Sequence, residues 1–216
     1  MARKIAKTRD EKKAILIALE DTKSSRYYFS SMIKDFKLSG KVVFAKHIGT
    51  NPAKVLEAIT TTKDYKKEYK KHWIVIDKDD WSKDDFNGTL NRAKDLDICT
   101  AFSNESYELW VLLHFEKVSR YTSREELNSR LKDCFKKEFK IHYDKSNSDI
   151  YAILKTRQDI AMKNAQELYE THINNDGKID PYNQNPITNI YELIHCIENI
   201  SKDENYVCSC LAKNSD

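Results

Sequence analysis

Acidic side chains follow two short apolar runs, a pattern typical of a site that binds divalent cations. Glu20 comes directly after residues 15–19, and Asp77 and Asp79 come directly after residues 73–76. If both runs are strands of a parallel sheet, their carboxyl ends are where ligand crevices form. Mg²⁺ is usually bound by one or two carboxylates together with water and substrate phosphate. The spacing therefore predicts a metal site that acts on phosphates.

Within this predicted site the acids have different roles. Alternate side chains of an extended segment lie on the same side, so Asp77 and Asp79 can reach one ion. Glu20 is a candidate metal ligand, or a general acid or base at the transferring phosphate. The alternative for Asp77 and Asp79 is that they end the strand and cap the following element, and the alternative for Glu20 is an exposed glutamate at the strand end.

Three further residues are candidates. Glu105 and Glu108 follow a later apolar run and are spaced as neighbours on one helix face, so they predict a second metal ion. Their alternative role is as helix N-terminal acids, which the helix dipole favours. Lys23 lies close to Glu20 in the sequence and is a candidate phosphate ligand, or else a solvated loop residue. His114 is expected to be a buried structural histidine.

The pattern of apolar residues predicts the elements that must position these side chains. Strands are expected at residues 15–19, 42–45, 73–76 and 98–102, and helices at 24–36, from 52 onward, at 90–96, 107–115, 124–139, 150–172 and 190–200. Strands that alternate with helices indicate an α/β fold with a parallel sheet and right-handed crossovers. We expect a core over residues 1–118 and a helical C-terminal region over residues 119–216 packed on that core.

Composition limits the class of protein. The chain has 216 residues and a formal net charge of +3, which neither requires nor excludes a nucleic-acid partner. No apolar stretch is long enough to cross a bilayer, and because charged residues follow the basic N-terminal residues, we expect no signal peptide. The five cysteines are odd in number and scattered, as in a reduced cytoplasmic protein.

The order of these motifs resembles the Toprim fold of topoisomerases, primases and OLD-group nucleases, which has a glutamate after its first strand and Asp-x-Asp after its third. The chain is more closely similar to the RloB family. The similarity includes Glu20, Lys23 and Tyr28-Phe29, the acidic motif at 75–80, the long signature at 103–115, and segments 161–165 and 185–188. Asp21 stands where the family usually has glycine, and Ser24-Ser25 where it usually has Thr-Glu.

The resemblance implies a Toprim-like, Rossmann-like parallel sheet flanked by helices, with a C-terminal helical extension. It also implies a nuclease that depends on Mg²⁺ or Mn²⁺ and cleaves RNA, with tRNA among the expected targets, or DNA. The family is commonly encoded beside an AAA-type ATPase in bacterial anti-phage or abortive-infection loci, so such an ATPase is the expected partner. Two alternatives are a non-catalytic module that binds nucleic acid or the ATPase, and a nucleotidyl or phosphoryl transferase. A homo-oligomer is compatible with the sequence.

Overall fold

A central five-stranded sheet organises the chain. The computed structural model describes residues 12–203, 205–206 and 208. The strands are β1 (Lys13–Leu19), β2 (Val42–Phe44), β3 (Tyr69–Asp77), β4 (Cys99–Asn104) and β5 (Ile187–Thr188), in the order β2-β1-β3-β4-β5. The first four are parallel, and β5 is antiparallel to β4. The predicted α/β class with a Rossmann-like, mainly parallel sheet is confirmed.

Helices cover both faces of the sheet. They are α1 (Ser24–Asp35), α2 (Pro52–Thr60), α3 (Tyr65–Glu68), α4 (Lys83–Asp95), α5 (Glu108–Leu112), α6 (Arg124–Phe139), α7 (Ile150–Leu154), α8 (Gln158–Asp176) and α9 (Ile190–Lys202), with a 3₁₀ turn at Lys155–Arg157 between α7 and α8. None of the helices in the part of the chain that the structure describes is both long and apolar enough to cross a membrane.

The central strands are apolar on both sides, as expected when helices cover both faces of a sheet. Ile15 and Ile17 of β1 belong to one apolar cluster, which also contains residues of α1 and of α5 to α9. Leu16 and Ala18 point to the other face and pack with α2 and α4. Residues of the C-terminal helices therefore share a core with the sheet.

Several boundaries differ from the sequence-based prediction. β3 begins at Tyr69 because residues before the apolar run also pair with β1, where Tyr69 lies opposite Lys13. The predicted helix over 107–115 is only Glu108–Leu112, and turns follow it. The short strand β5 was not predicted, because two residues are too few to show an alternating pattern.

The expectation that the cysteines are reduced is wrong for Cys99, Cys196 and Cys208. Cys196 of α9 and Cys208 form a disulfide with Cα atoms 5.3 Å apart, and Cys99 is also disulfide-bonded. Cys134 is a free thiol, and Cys210 lies outside the described residues. Pairing depends on how close two Cα atoms are in the fold, and scattered sequence positions do not reveal this distance.

Candidate functional site

The carboxyl ends of three adjacent parallel strands bring the predicted acids together. Leu19 of β1 lies opposite Val75 of β3, and Asp77 of β3 lies opposite Ser103 of β4. The backbone N–H of Asp77 donates a 2.8 Å hydrogen bond to Oε2 of Glu20. Two acids that are 57 residues apart in the sequence therefore touch at one edge of the sheet.

Glu20 is almost completely buried, with 7% of its surface exposed. Its second carboxyl oxygen, Oε1, accepts a 3.0 Å hydrogen bond from the indole N–H of Trp81. Burial raises the pKa of Glu20 to about 7, and the charge of Asp79 adds to this effect, although the two hydrogen bonds oppose it. A carboxyl group with such a pKa exchanges a proton readily at neutral pH.

Asp77 is half-buried and surrounded by like charges. Burial raises its pKa well above the usual range, and the charges of Glu20, Asp79 and Glu108 raise it further. A hydrogen bond from the backbone N–H of Tyr107 acts in the opposite direction. Burial and the neighbouring acids therefore both disfavour the charged form of Asp77.

Asp79 is placed by backbone contacts beyond the end of β3. It has a left-handed backbone with φ of 42°, and its N–H donates a 3.0 Å hydrogen bond to the carbonyl oxygen of Glu105. Its carboxylate forms an ion pair with the guanidinium of Arg124, the first residue of α6. Burial raises the pKa of Asp79, and the charge of Arg124 partly offsets that increase.

The two remaining predicted acids have different environments. Glu108 is buried in the first turn of α5 and lines the same cleft as Glu20 and Asp77. Glu105 does not line that cleft. Its Oε2 instead accepts a 2.9 Å hydrogen bond from the backbone N–H of Arg124, so this acid satisfies a backbone donor at the start of α6.

The cleft has a volume of about 410 Å³ and combines acidic and basic side chains. Arg124, Asn128 and Lys145 line it from the C-terminal half of the chain. Lys23 is exposed immediately before α1 and does not line the cleft. We call this volume the acidic cleft; the acids that line it are Glu20, Asp21, Asp77, Asp79 and Glu108.

The acidic cleft suits a hard cation by its donor chemistry, because carboxylate oxygens are the ligands that Mg²⁺ takes. Within the described ranges, however, no three His, Cys, Asp or Glu side chains are already arranged to hold a metal ion. The hydrogen bonds explain this in part. Both oxygens of Glu20 accept hydrogen bonds from protein donors, and Asp79 is paired with Arg124.

The first loop keeps an ordered geometry despite its departures from the family pattern. Oδ1 of Asp21 accepts a 2.8 Å hydrogen bond from the N–H of Lys23, and Oδ2 accepts a 3.0 Å hydrogen bond from the N–H of Ser25. Asp21 therefore caps the start of α1, which is a common role for aspartate. Ser25 is buried beneath this loop.

Sequence reasoning missed two residues that contact the predicted acids. Trp81 lies four residues after Asp77, and no spacing pattern indicates that its indole N–H donates a hydrogen bond to a carboxylate. Arg124 lies 45 residues after Asp79, and nothing in its local pattern indicates a contact between the two.

Comparison with known proteins places the chain in a family. No curated protein and no solved structure matches it. A family model described as RloB-like protein matches residues 15–197, which include most of β1, the acidic motif at the end of β3, and most of α9. This match confirms the resemblance that the motifs indicated. The chain belongs to the RloB-like family.

Proposed function

We propose that this chain is a metal-dependent nuclease that hydrolyses phosphodiester bonds in nucleic acid. The observation that carries the proposal is the contact between Glu20 and Asp77 at the carboxyl edge of the sheet, with Asp79 and Glu108 beside them. The mutual repulsion of these acids favours a cation in their midst. Family membership supports the same conclusion.

Asp77, Asp79 and Glu108 of the acidic cleft would hold Mg²⁺ or Mn²⁺, whereas both carboxyl oxygens of Glu20 already accept hydrogen bonds. The bound ion would polarise the phosphodiester and lower the pKa of a water molecule. Glu105 is left out of this ligand set because its carboxylate is hydrogen-bonded to the N–H of Arg124. Lys23 is left out of the catalytic group because it lies outside the cleft.

Glu20 would move the proton in this reaction. Its pKa of about 7 lets it accept a proton from water and return one to a leaving oxygen near neutral pH. Proton transfer by a positioned group of this kind contributes roughly 10²–10⁴-fold to a rate.

Arg124 would hold the substrate phosphate. Its guanidinium reaches the acidic cleft from the start of α6 and forms an ion pair with Asp79, an acid that a cation would also bind. Arginine binds phosphate oxygens in a two-pronged geometry, so release from Asp79 would let it bind the substrate. Lys145 adds a second positive charge to the same cleft.

The biological setting is part of the proposal and depends on the family resemblance. A nuclease of this kind would act as a toxic effector in bacterial anti-phage defence, with RNA, including tRNA, or DNA as its target. A partner AAA-type ATPase would restrain or trigger it.

The direct test is cleavage of labelled RNA, single-stranded DNA and duplex DNA by the purified protein with Mg²⁺, with Mn²⁺ and with a chelator. We expect cleavage only with metal, and a loss of at least 100-fold in Asp77→Asn because this substitution removes a charged ligand. Asp80→Asn is the matched control, since Asp80 is exposed and does not line the acidic cleft. Metal-independent cleavage, or full activity of Asp77→Asn, would contradict the proposal.

A non-catalytic binding module is the second candidate. It is favoured by the ion pair between Asp79 and Arg124, which neutralises one of the acids without a metal. A module would bind nucleic acid or the ATPase equally well with and without Mg²⁺ and would leave every substrate intact. Sequencing RNA and DNA ends from cells that express wild type or Asp77→Asn separates the two candidates.

A further inference from the structure

A second, basic cleft adjoins the acidic cleft. It has a volume of about 360 Å³ and lies where β1 and β2 end. Asp21 lines both clefts, and the imidazole Nε2 of His47 lies 3.3 Å from the backbone carbonyl oxygen of Glu20. A polymer held in the acidic cleft therefore has this second volume immediately beside it.

The basic cleft contains a stacked pair of planar groups. The guanidinium of Arg26, on α1, lies 3.8 Å from the centre of the Phe44 ring at the end of β2. This contact is a cation–π interaction, which keeps the guanidinium close to the ring. Both side chains are half-buried, so each keeps some accessible surface in the cleft.

The electrostatics of this volume favour an anion. Arg26, Lys46 and His47 line it, and Lys46 and His47 are exposed. Across the described ranges, neither Arg26 nor Lys46 forms an ion pair with a carboxylate. Asp21 also lines the basic cleft, but its carboxylate already accepts two backbone hydrogen bonds at the start of α1.

We propose that the basic cleft binds an unpaired nucleotide that flanks the scissile phosphodiester. The base stacks on the Arg26–Phe44 pair, and the phosphate of that nucleotide is bound by Lys46 and His47. Arginine planes and aromatic rings are common stacking surfaces for splayed-out bases. In a duplex both faces of a base are covered by its neighbours, so the proposal assigns single-stranded nucleic acid as the ligand. That the adjacent phosphodiester is the bond that is cleaved depends on the proposed function.

The test measures binding of the full chain, with a chelator present, to short fluorescent single strands of RNA and of DNA, and to a duplex of the same sequence. We expect single strands to bind more tightly than the duplex. Arg26→Ala should weaken single-strand binding by roughly 10-fold, in line with losses found when stacking side chains are removed. Lys163→Ala, which removes an exposed charge from α8, is the matched control and should change affinity less than about 2-fold.

An abasic site moved along the oligonucleotide identifies stacking directly. In wild type, one position of the abasic site should weaken binding by a factor similar to that of Arg26→Ala. In Arg26→Ala the same abasic site should add little, because the two changes remove one contact. Arg26→Lys keeps the charge and should behave like Arg26→Ala toward the abasic site. It also serves as the readout if Arg26→Ala fails to fold.

Equal binding of duplex and single strand, or equal abasic losses in wild type and the Arg26 variants, would overturn the proposal. The experiment measures binding without metal and without cleavage. Its result therefore stays valid even if the protein shows no nuclease activity. A protein that cleaves nucleic acid but shows no coupling between Arg26 and the base would refute only the basic cleft as a nucleotide site.

Discussion

At the scale of single residues, burial decides the ionisation of Glu20. Its pKa of about 7 in the folded chain exceeds the ordinary value of 4.5. The folded state therefore binds the carboxyl proton of Glu20 more tightly than the unfolded state does. The resulting stabilisation is complete below about pH 4.5 and is lost as the pH rises through 7.

The direction of this pH dependence leads to a prediction for Glu20→Gln. The amide cannot ionise, so the free energy of unfolding of the variant should improve relative to wild type between pH 5 and pH 8. The gain should be about 2–3 kcal/mol, since one pKa unit corresponds to 1.36 kcal/mol. Urea unfolding at a series of pH values without divalent ions measures it. A difference between the two proteins that does not change with pH would show that Glu20 keeps an ordinary pKa.

The ion pair of Arg124 and Asp79 leads to a second prediction at this scale. Their side chains are 38% and 31% exposed, so solvent screening limits the pair to below about 1 kcal/mol of stability. Arg124→Ala should therefore unfold nearly as wild type. It should bind Mn²⁺ several-fold more tightly, because the ion no longer competes with the guanidinium for Asp79.

Isothermal titration calorimetry with Mn²⁺ measures this affinity. Arg120→Ala is the matched control, since it removes an exposed arginine that pairs with Glu126 away from the acidic cleft. Unchanged or weaker Mn²⁺ binding by Arg124→Ala would mean that the guanidinium and the ion do not share a ligand.

At the scale of elements, Asn189 connects α9 to the edge of the sheet. Its Oδ1 accepts a 2.7 Å hydrogen bond from the N–H of Phe102, and its Nδ2 donates a 2.9 Å hydrogen bond to the carbonyl oxygen of Thr100. Beyond the two residues of β5, no strand in the described part of the chain pairs with β4 on this side. The side-chain amide of Asn189 thus forms the hydrogen bonds with β4 that a neighbouring strand would otherwise form.

We expect Asn189→Ala to lower the free energy of unfolding by about 2–3 kcal/mol. The reason is that it leaves one buried N–H and one carbonyl of β4 without a partner. Asn199→Ala, which removes an exposed amide bonded to the His195 carbonyl within α9, should cost less than about 1 kcal/mol. Urea unfolding of both variants compares them, and equal losses would show that Asn189 has no special role at the sheet edge.

At the scale of the whole molecule, the two predicted regions share one apolar core. Trp110 of α5 belongs to the same buried cluster as Leu131 of α6 and Ile197 of α9. The acidic cleft is also assembled from both regions, since Arg124 and Lys145 join acids that follow the strands. The C-terminal helices therefore complete the cleft as well as cover the sheet.

The disulfide between Cys196 and Cys208 adds a covalent link near the end of the described chain. It joins residues 12 apart, and a loop of this size corresponds to roughly 2–3 kcal/mol of stabilisation through restriction of the unfolded state. Cys208→Ser should lower the free energy of unfolding by this amount. Cys134→Ser, at a free and partly exposed thiol, should have little effect. An unchanged unfolding curve for Cys208→Ser would show that the two sulfurs are not linked in solution.

The sequence by itself determined the α/β class and the position of each acid at a strand end. Buried parallel strands appear as short apolar runs, and a carboxylate directly after such a run must lie at the ligand edge of the sheet. This local pattern was sufficient to predict that Glu20 and Asp77, which are distant in sequence, would meet. It was also sufficient to propose the chemistry.

Only the tertiary structure decided what surrounds those acids. The pairing of Arg124 with Asp79, the disulfide of Cys196 and the amide of Asn189 at the sheet edge all join segments that no periodicity relates. Such contacts depend on how the C-terminal helices pack against the sheet. Apolar packing is non-directional, so a sequence pattern shows which face is buried but not which polar side chain comes to lie opposite it.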